Sequence, residues 1–123
     1  MTDYLVDNSV WARAITGDTH MVERLRRIER APSDLFVTCP PQVLEFCHSA
    51  RTPAEHAHYR EQISLGFPLE RAPDESLVLD IQGALWNAGL ARAAGPTDIL
   101  IAAYALVNEA TVLAADHDFG HIA

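Results

Sequence analysis

The sequence predicts a single α/β domain, residues 1–123, with a mostly parallel central sheet and helices on both of its faces. Three observations carry that prediction. Short apolar stretches with strand character alternate with longer stretches of helical spacing. Consecutive strands are separated by one or two helices, so the connections must be crossovers rather than hairpins, and crossovers produce parallel pairing. Finally, 123 residues with 49% hydrophobic and 21% charged side chains fit one soluble core, with no repeat, low-complexity tract or linker to divide it.

The elements follow in order. Residues 3–7 (DYLVD) read as a buried strand, because Tyr4, Leu5 and Val6 leave it no polar face. Ser9 to Thr16 reads as a short helix. From His20 to Arg30, Met21, Leu25 and Ile28 recur at helical spacing with arginines and glutamates opposite. Leu35 to Thr38 (LFVT) is the second strand. Pro40 and Pro41 pre-set the first turn of a helix running through Gln42–Ser49. Thr52-Pro53 opens the next helix, which Gly66 stops, and Phe67 to Ala72 forms a third, short strand. Asp74 caps a long helix closed by Gly95. Thr97-Asp98 caps ILIAAYALVNEA, and TVLAA from Thr111 to Ala115 is the last strand.

Composition excludes several classes. The formal net charge is −8, from 17 acids against nine basic residues, and all nine are arginine. Such a chain does not hold nucleic acid through a broad basic surface, although metal ions can supply positive charge locally. No apolar run approaches the ~20 residues of a membrane helix. With no basic n-region before an apolar stretch, the expected location is the cytoplasm. Two cysteines, Cys39 and Cys47, do not make a disulfide scaffold at this size.

The carboxylates are the informative feature. Asp7 ends the first strand and Asp116 ends the last, and in open parallel sheets function collects outside the carboxyl ends of the strands. Glu45, in the first turn or so of the helix after LFVT, and Asp98, at the start of its helix, fall near the same edge. Asp118 is within reach of it. Singly, each has a plainer explanation: Asp98 as a first-turn acid suiting the helix dipole, Glu45 as a solvated helix residue. Together, four or five carboxylates at one edge repel unless they share protons or hold a multivalent cation. An all-oxygen set points to Mg²⁺ or Mn²⁺, whose standard use is phosphodiester hydrolysis.

The segments YLVDNSVWAR, PPQVLEF, GPTDILIAAYA and TVLAADHDFGHIA resemble, in order and spacing, the acidic motifs of the PIN domain. The likeness is to its VapC-type toxins of type II toxin–antitoxin pairs and covers nearly the whole chain. It implies a three-layer PIN-like fold and Mg²⁺- or Mn²⁺-dependent endonucleolytic cleavage of RNA by in-line attack of water. The family's acids fall on Asp7, Glu45, Asp98 and Asp116, with Asp118 auxiliary. Asp7 and Asp98 would bind metal directly, and Glu45 and Asp116 would complete the site. Ser9 would orient the first aspartate or a metal-bound water; separately, Arg13, lying just past Asp7, is a candidate for substrate contact. The resemblance further implies a cognate VapB-type antitoxin, RNA as substrate, a homodimer and no membrane. Family members usually continue past D-x-D-F into a further short strand, whereas this sequence stops at Ala123. A missing edge strand or a trimmed terminus is the expectation there.

Other patterns weigh less. Asp118-Phe119-Gly120 spells a kinase motif, but there is no lysine and no glycine-rich loop. The absent lysine also counts against receiver domains and haloacid-dehalogenase phosphatases. Cys39, Cys47, His48, His56 and His58 match no compact zinc spacing. Trp11 and Trp86 are expected in a core or interface rather than under bases. The arginines at 24, 26, 27 and 30 are either a solvated face paired with Glu23 and Glu29, or a patch for RNA phosphates or an acidic antitoxin tail. Two rivals remain open: a PIN-fold nuclease in RNA processing or DNA cleavage, and a non-catalytic PIN-like interaction module.

Overall fold

The computed structural model describes residues 2–15, 17–90 and 94–113, with residues 12–15 described by their backbone alone. Among them, four strands form one all-parallel sheet. β1 (Thr2–Val6), β2 (Asp34–Thr38), β3 (Phe67–Pro68) and β4 (Thr111–Leu113) lie in the order β3-β2-β1-β4. The chain winds outward from β1 through β2 to β3, then crosses back to place β4 on the other side of β1. The winding reverses beside β1, and such a reversal opens a crevice at the carboxyl ends of the strands.

Side-chain alternation along each strand builds two core layers. Leu5, Val37 and Val112 occupy neighbouring strands on one face and pack with Ile101 and Ala105 of α6 (Pro96–Val107). Tyr4, Val6, Phe36 and Leu113 point the other way. They meet Val10 of α1 (Asn8–Ile15) and Leu25 and Ile28 of α2 (Thr19–Arg30). Leu5, Val10 and Ile101 have no exposed surface at all. α3 (Pro40–His48) packs on α4 (Pro53–Ile63) through Phe46 and Tyr59, whose rings are 5.2 Å apart, and also meets α6. α5 (Glu75–Asn87) lies on α6, with Leu85 and Ile99 in a satellite cluster. The expected α/β architecture is present, with the sheet parallel throughout its described length.

Several boundaries differ from expectation for local reasons. The third strand is only Phe67–Pro68, since Pro68 has no N–H to extend the ladder. The next amide, Leu69, donates to the Thr38 carbonyl at 2.8 Å. Ahead of it, Gly66 passes so close to β2 that an added Cβ would stand 2.7 Å from the Thr38 methyl. α5 ends at Asn87 rather than continuing to Gly95. Gly89 takes the left-handed conformation (φ +74°), Leu90 donates to the Leu85 carbonyl at 2.7 Å and Gly89 to Trp86 at 3.1 Å, which together make a Schellman stop. α6 ends in the same way, but with Glu109 as the left-handed residue (φ 54°). Trp86 is not a core residue: it is 66% exposed on α5.

Cys39, between β2 and α3, is 2% exposed, and burial pushes its thiol up from 9.0 to about 11 against a smaller lowering by the Gln42 backbone N–H. A thiol this reluctant to ionise is a poor zinc ligand. An acid whose folded pKa lies above its unfolded one contributes fully below the unfolded value, here 9.0, and loses that contribution as pH rises towards 11. The stability advantage of the wild type over Cys39→Ala should therefore shrink across that window in urea titrations. A constant difference would show the thiol to be freer to ionise than its burial implies.

Candidate metal centre

Asp7 follows β1 at the crevice. Its backbone N–H donates to the Leu113 carbonyl at 2.9 Å, so pairing with β4 continues up to the aspartate itself. Its carbonyl accepts from Val10 at 3.1 Å, making Asp7 the N-cap of α1. One carboxylate oxygen, Oδ2, does the capping: it accepts from the Ser9 amide at 3.1 Å and the Ser9 hydroxyl at 2.7 Å. The other, Oδ1, is buried and accepts nothing among the described residues. Both side-chain atoms of Asn8 and the indole N–H of Trp11 are orphaned in the same way. Asp7 differs from them in carrying charge, and a residue only 3% exposed leaves that charge little solvent. Capping therefore accounts for half of this carboxylate, since an asparagine or serine would cap as well.

Glu45 arrives from α3, in its second turn rather than its first, because the helix starts at Pro40 with Cys39 as N-cap. One turn earlier, Gln42 is 2% exposed and ties two elements together. Its Nε2 donates to the Val6 carbonyl at 2.5 Å, and its Oε1 accepts from the Cys39 amide at 3.3 Å. The amide of Gln42 thus links the residue before Asp7 to the start of the helix bearing Glu45. It was not among the expected site residues. A readable signal existed, since a glutamine three residues past an N-cap is placed to bond the N-cap amide. The bond to Val6, 36 residues away, had none.

Asp98 comes from the first turn of α6. The cap is not Thr97-Asp98 as expected: Gly95 is the N-cap and Pro96 the first helical residue, with proline's fixed φ suited to that place. Asp98 consequently stands in the third helical position. From there it meets the other two acids. One carboxylate oxygen from each of Asp7, Glu45 and Asp98 lies within 4.8 Å of the others.

Asp7 is buried, while Glu45 and Asp98 are half-buried, so the three charges repel through a medium less screening than water. The donor set fits a hard divalent cation. Oxygens around an octahedral Mg²⁺ at ~2.1 Å stand about 3 to 4 Å apart, so these three need close only slightly to share an ion. Oδ1 of Asp7 is a buried acceptor of the kind such an ion would satisfy. Of the expected site residues, the fold brings together Asp7, Glu45, Asp98 and Ser9. Asp116 and Asp118 lie outside the described residues, and Arg13 is placed on α1 by backbone only.

The Ser9 hydroxyl restrains the aspartate through Oδ2. Ser9→Ala should lower divalent-cation affinity ~10–100-fold, the usual consequence of losing a hydrogen bond to a ligand, while changing stability by only about 1 kcal/mol. Calorimetry and thermal melts on one preparation would check it. Unchanged affinity would show that the hydroxyl only caps the helix.

The geometry agrees with comparison to known families. The model of the PIN domain matches residues 4–123. No curated protein matches the chain. PIN domains are generally metal-dependent nucleases, and the acid cluster is compatible with metal binding. No helix among the described residues is long and apolar enough to cross a membrane.

Proposed function

The chain belongs to the PIN-domain family, and on that premise we propose that it is a Mg²⁺- or Mn²⁺-dependent endoribonuclease acting in the cytoplasm. We further propose that it is the toxin of a type II toxin–antitoxin pair, homodimeric and restrained by a VapB-type antitoxin. The observation that carries the enzymatic reading is the convergence of Asp7, Glu45 and Asp98 from three separate elements at the carboxyl edge of the sheet. A fold with no use for a cation has no physical reason to place three carboxylates against one another. The toxin assignment is supported by the likeness of YLVDNSVWAR and DHDFGHIA to VapC-type motifs. Dimerisation is supported by large apolar side chains left exposed on three helices, namely Leu44, Leu79, Trp86, Leu100 and Leu106.

Asp7, Glu45 and Asp98 would hold the cation, with Asp116 and Asp118 joining from the chain beyond β4. When bound, the ion supplies positive charge to a phosphoryl group and favours ionisation of water. The protein's own contribution is positional. β4 and the Ser9 hydroxyl fix Asp7, Gln42 sets α3 relative to β1, and Pro96 starts α6 so that Asp98 faces inward. Excess carboxylate left without an ion repels a phosphodiester, so the empty protein should not retain substrate at this edge.

The test is calorimetry with Mn²⁺ on wild type and Asp98→Asn, with cleavage of mixed cellular RNA in parallel. Metal binding and cleavage lost together in the variant support the proposal. Binding without RNA cleavage would move the substrate to DNA. No binding at millimolar metal would overturn the nuclease reading in favour of an interaction module.

A further inference from the structure

We propose that a cleft on the α2 face of the sheet, away from the acid cluster, binds phosphates of the single-stranded nucleic acid that the acid cluster cleaves. The cleft has a volume of about 370 Å³ and is lined by Tyr4, His20, Arg24, Arg27, Ile28 and Asp34. His20, Arg24 and Arg27 are spaced i, i+4 and i+7, so they form one stripe along α2 that looks towards the start of the sheet. Its chemistry is lopsided. Two guanidinium groups, an imidazole and a phenol offer many donors, whereas among the described residues Asp34 is the one carboxylate lining it. Oδ1 of that aspartate already accepts from the Thr2 amide at 3.1 Å. Asp18, at the mouth of α2, is likewise engaged in capping His20 and Met21.

Neither Arg24 nor Arg27 has an ion pair among the described residues. Both arginines are exposed, as the expected solvated face requires, but the pairing with Glu23 and Glu29 is not formed at these positions among the described residues. In a chain of net charge −8, with eight more acids than bases, the arginines Arg24 and Arg27 meeting in one concave site concentrate positive charge locally. A donor-rich cleft with guanidinium forks matches a polyoxygen anion, and guanidinium meets phosphate, as it does carboxylate, in bidentate geometry. The volume suits a sugar-phosphate unit rather than a bare ion.

Position favours a nucleic acid strand over an acidic peptide. Tyr4 is three residues before Asp7, so about 10 Å of β1 backbone separates this lining residue from the first acid. A polyanion held at the acid cluster only by metal gains a second, metal-independent hold within a few nucleotides. This inference rests on the nuclease reading.

The test is fluorescence anisotropy of a labelled twelve-nucleotide single-stranded RNA in EDTA, where metal-dependent cleavage is off, across a series of salt concentrations. Wild type is compared with Arg24→Gln/Arg27→Gln, and circular dichroism verifies the fold of both. The expected result is several-fold weaker binding by the variant. Its slope of log Kobs against log salt should flatten by ~0.7 if one phosphate bridges both arginines and by ~1.4 if each holds its own. Equal affinity and equal slope would overturn the cleft. So would loss of binding to a twelve-residue oligoglutamate with RNA binding intact, which would make an acidic protein segment the ligand. Cleavage with Mn²⁺ is measured separately. Arginine-dependent RNA binding without any cleavage would overturn the nuclease reading and leave the cleft standing, whereas cleavage with arginine-independent binding would overturn the cleft alone.

Discussion

Asp7→Asn is expected to abolish both divalent-cation binding and RNA cleavage while leaving the fold intact. The substitution is nearly isosteric, and asparagine caps a helix as well as aspartate does, so the contacts from the Ser9 amide and hydroxyl persist. What disappears is the buried negative charge whose Oδ1 accepts no hydrogen bond among the described residues. A bound cation is worth several kcal/mol of charge stabilisation in phosphoryl chemistry, and ~4 kcal/mol corresponds to about 10³-fold in rate. Cleavage should therefore fall by at least that factor.

Stability should move the other way. Removing one of three carboxylates that lie within 4.8 Å of one another relieves like-charge repulsion, so the metal-free variant should be more stable than metal-free wild type, by about 1 kcal/mol. Millimolar Mn²⁺ should then stabilise the wild type and leave the variant unmoved, because only a folded state that binds the ion gains from it. Thermal melts with and without metal read both effects. A variant as stable as wild type both with and without metal would mean that Asp7 is a helix cap and little else.

Much of this centre was legible in the sequence because its parts obey local rules. An oily strand running into Asp7, two prolines before the helix of Glu45, and Asp98 at the start of its helix each place an acid at the carboxyl edge without tertiary knowledge. The misplaced boundaries also have local causes. Gly89 sits inside an otherwise continuous helical pattern, and only its left-handed φ shows that α5 ends there. Gly95 reads as the end of one helix but is the cap of the next, which moves Asp98 from a capping position to one facing the crevice. Alternation alone could not reveal which acids meet, since that depends on β4 returning to the far side of β1. The arginines of α2 resisted reading for the same reason: whether they pair with their own helix or line a cleft depends on what the sheet presents to them.

Gln42 is the residue whose role no local rule contains, and its replacement carries the second large expected effect. Gln42→Leu keeps the volume but leaves the Val6 carbonyl and the Cys39 amide without their partner in a buried setting. Each orphaned group costs about 1–3 kcal/mol, so a loss of about 2–4 kcal/mol in urea unfolding is expected, a large share of a small domain's stability. If the amide also holds α3 in register with β1, cation affinity measured on the folded variant should drop ~10–100-fold although no ligand was removed. Gln42→Glu separates the two bonds. Its carboxylate can still accept from Cys39, but it can donate to the Val6 carbonyl only when protonated. Facing a carbonyl in a buried site, that carboxyl has its folded pKa raised above the ordinary value of ~4.3, so folding favours the protonated form. The variant's deficit relative to wild type should be small at pH 4 and grow as pH rises through and beyond the unfolded value. A deficit that stays flat across that range would mean that the donation to Val6 contributes nothing, and that α3 is set against β1 by packing of its apolar face alone.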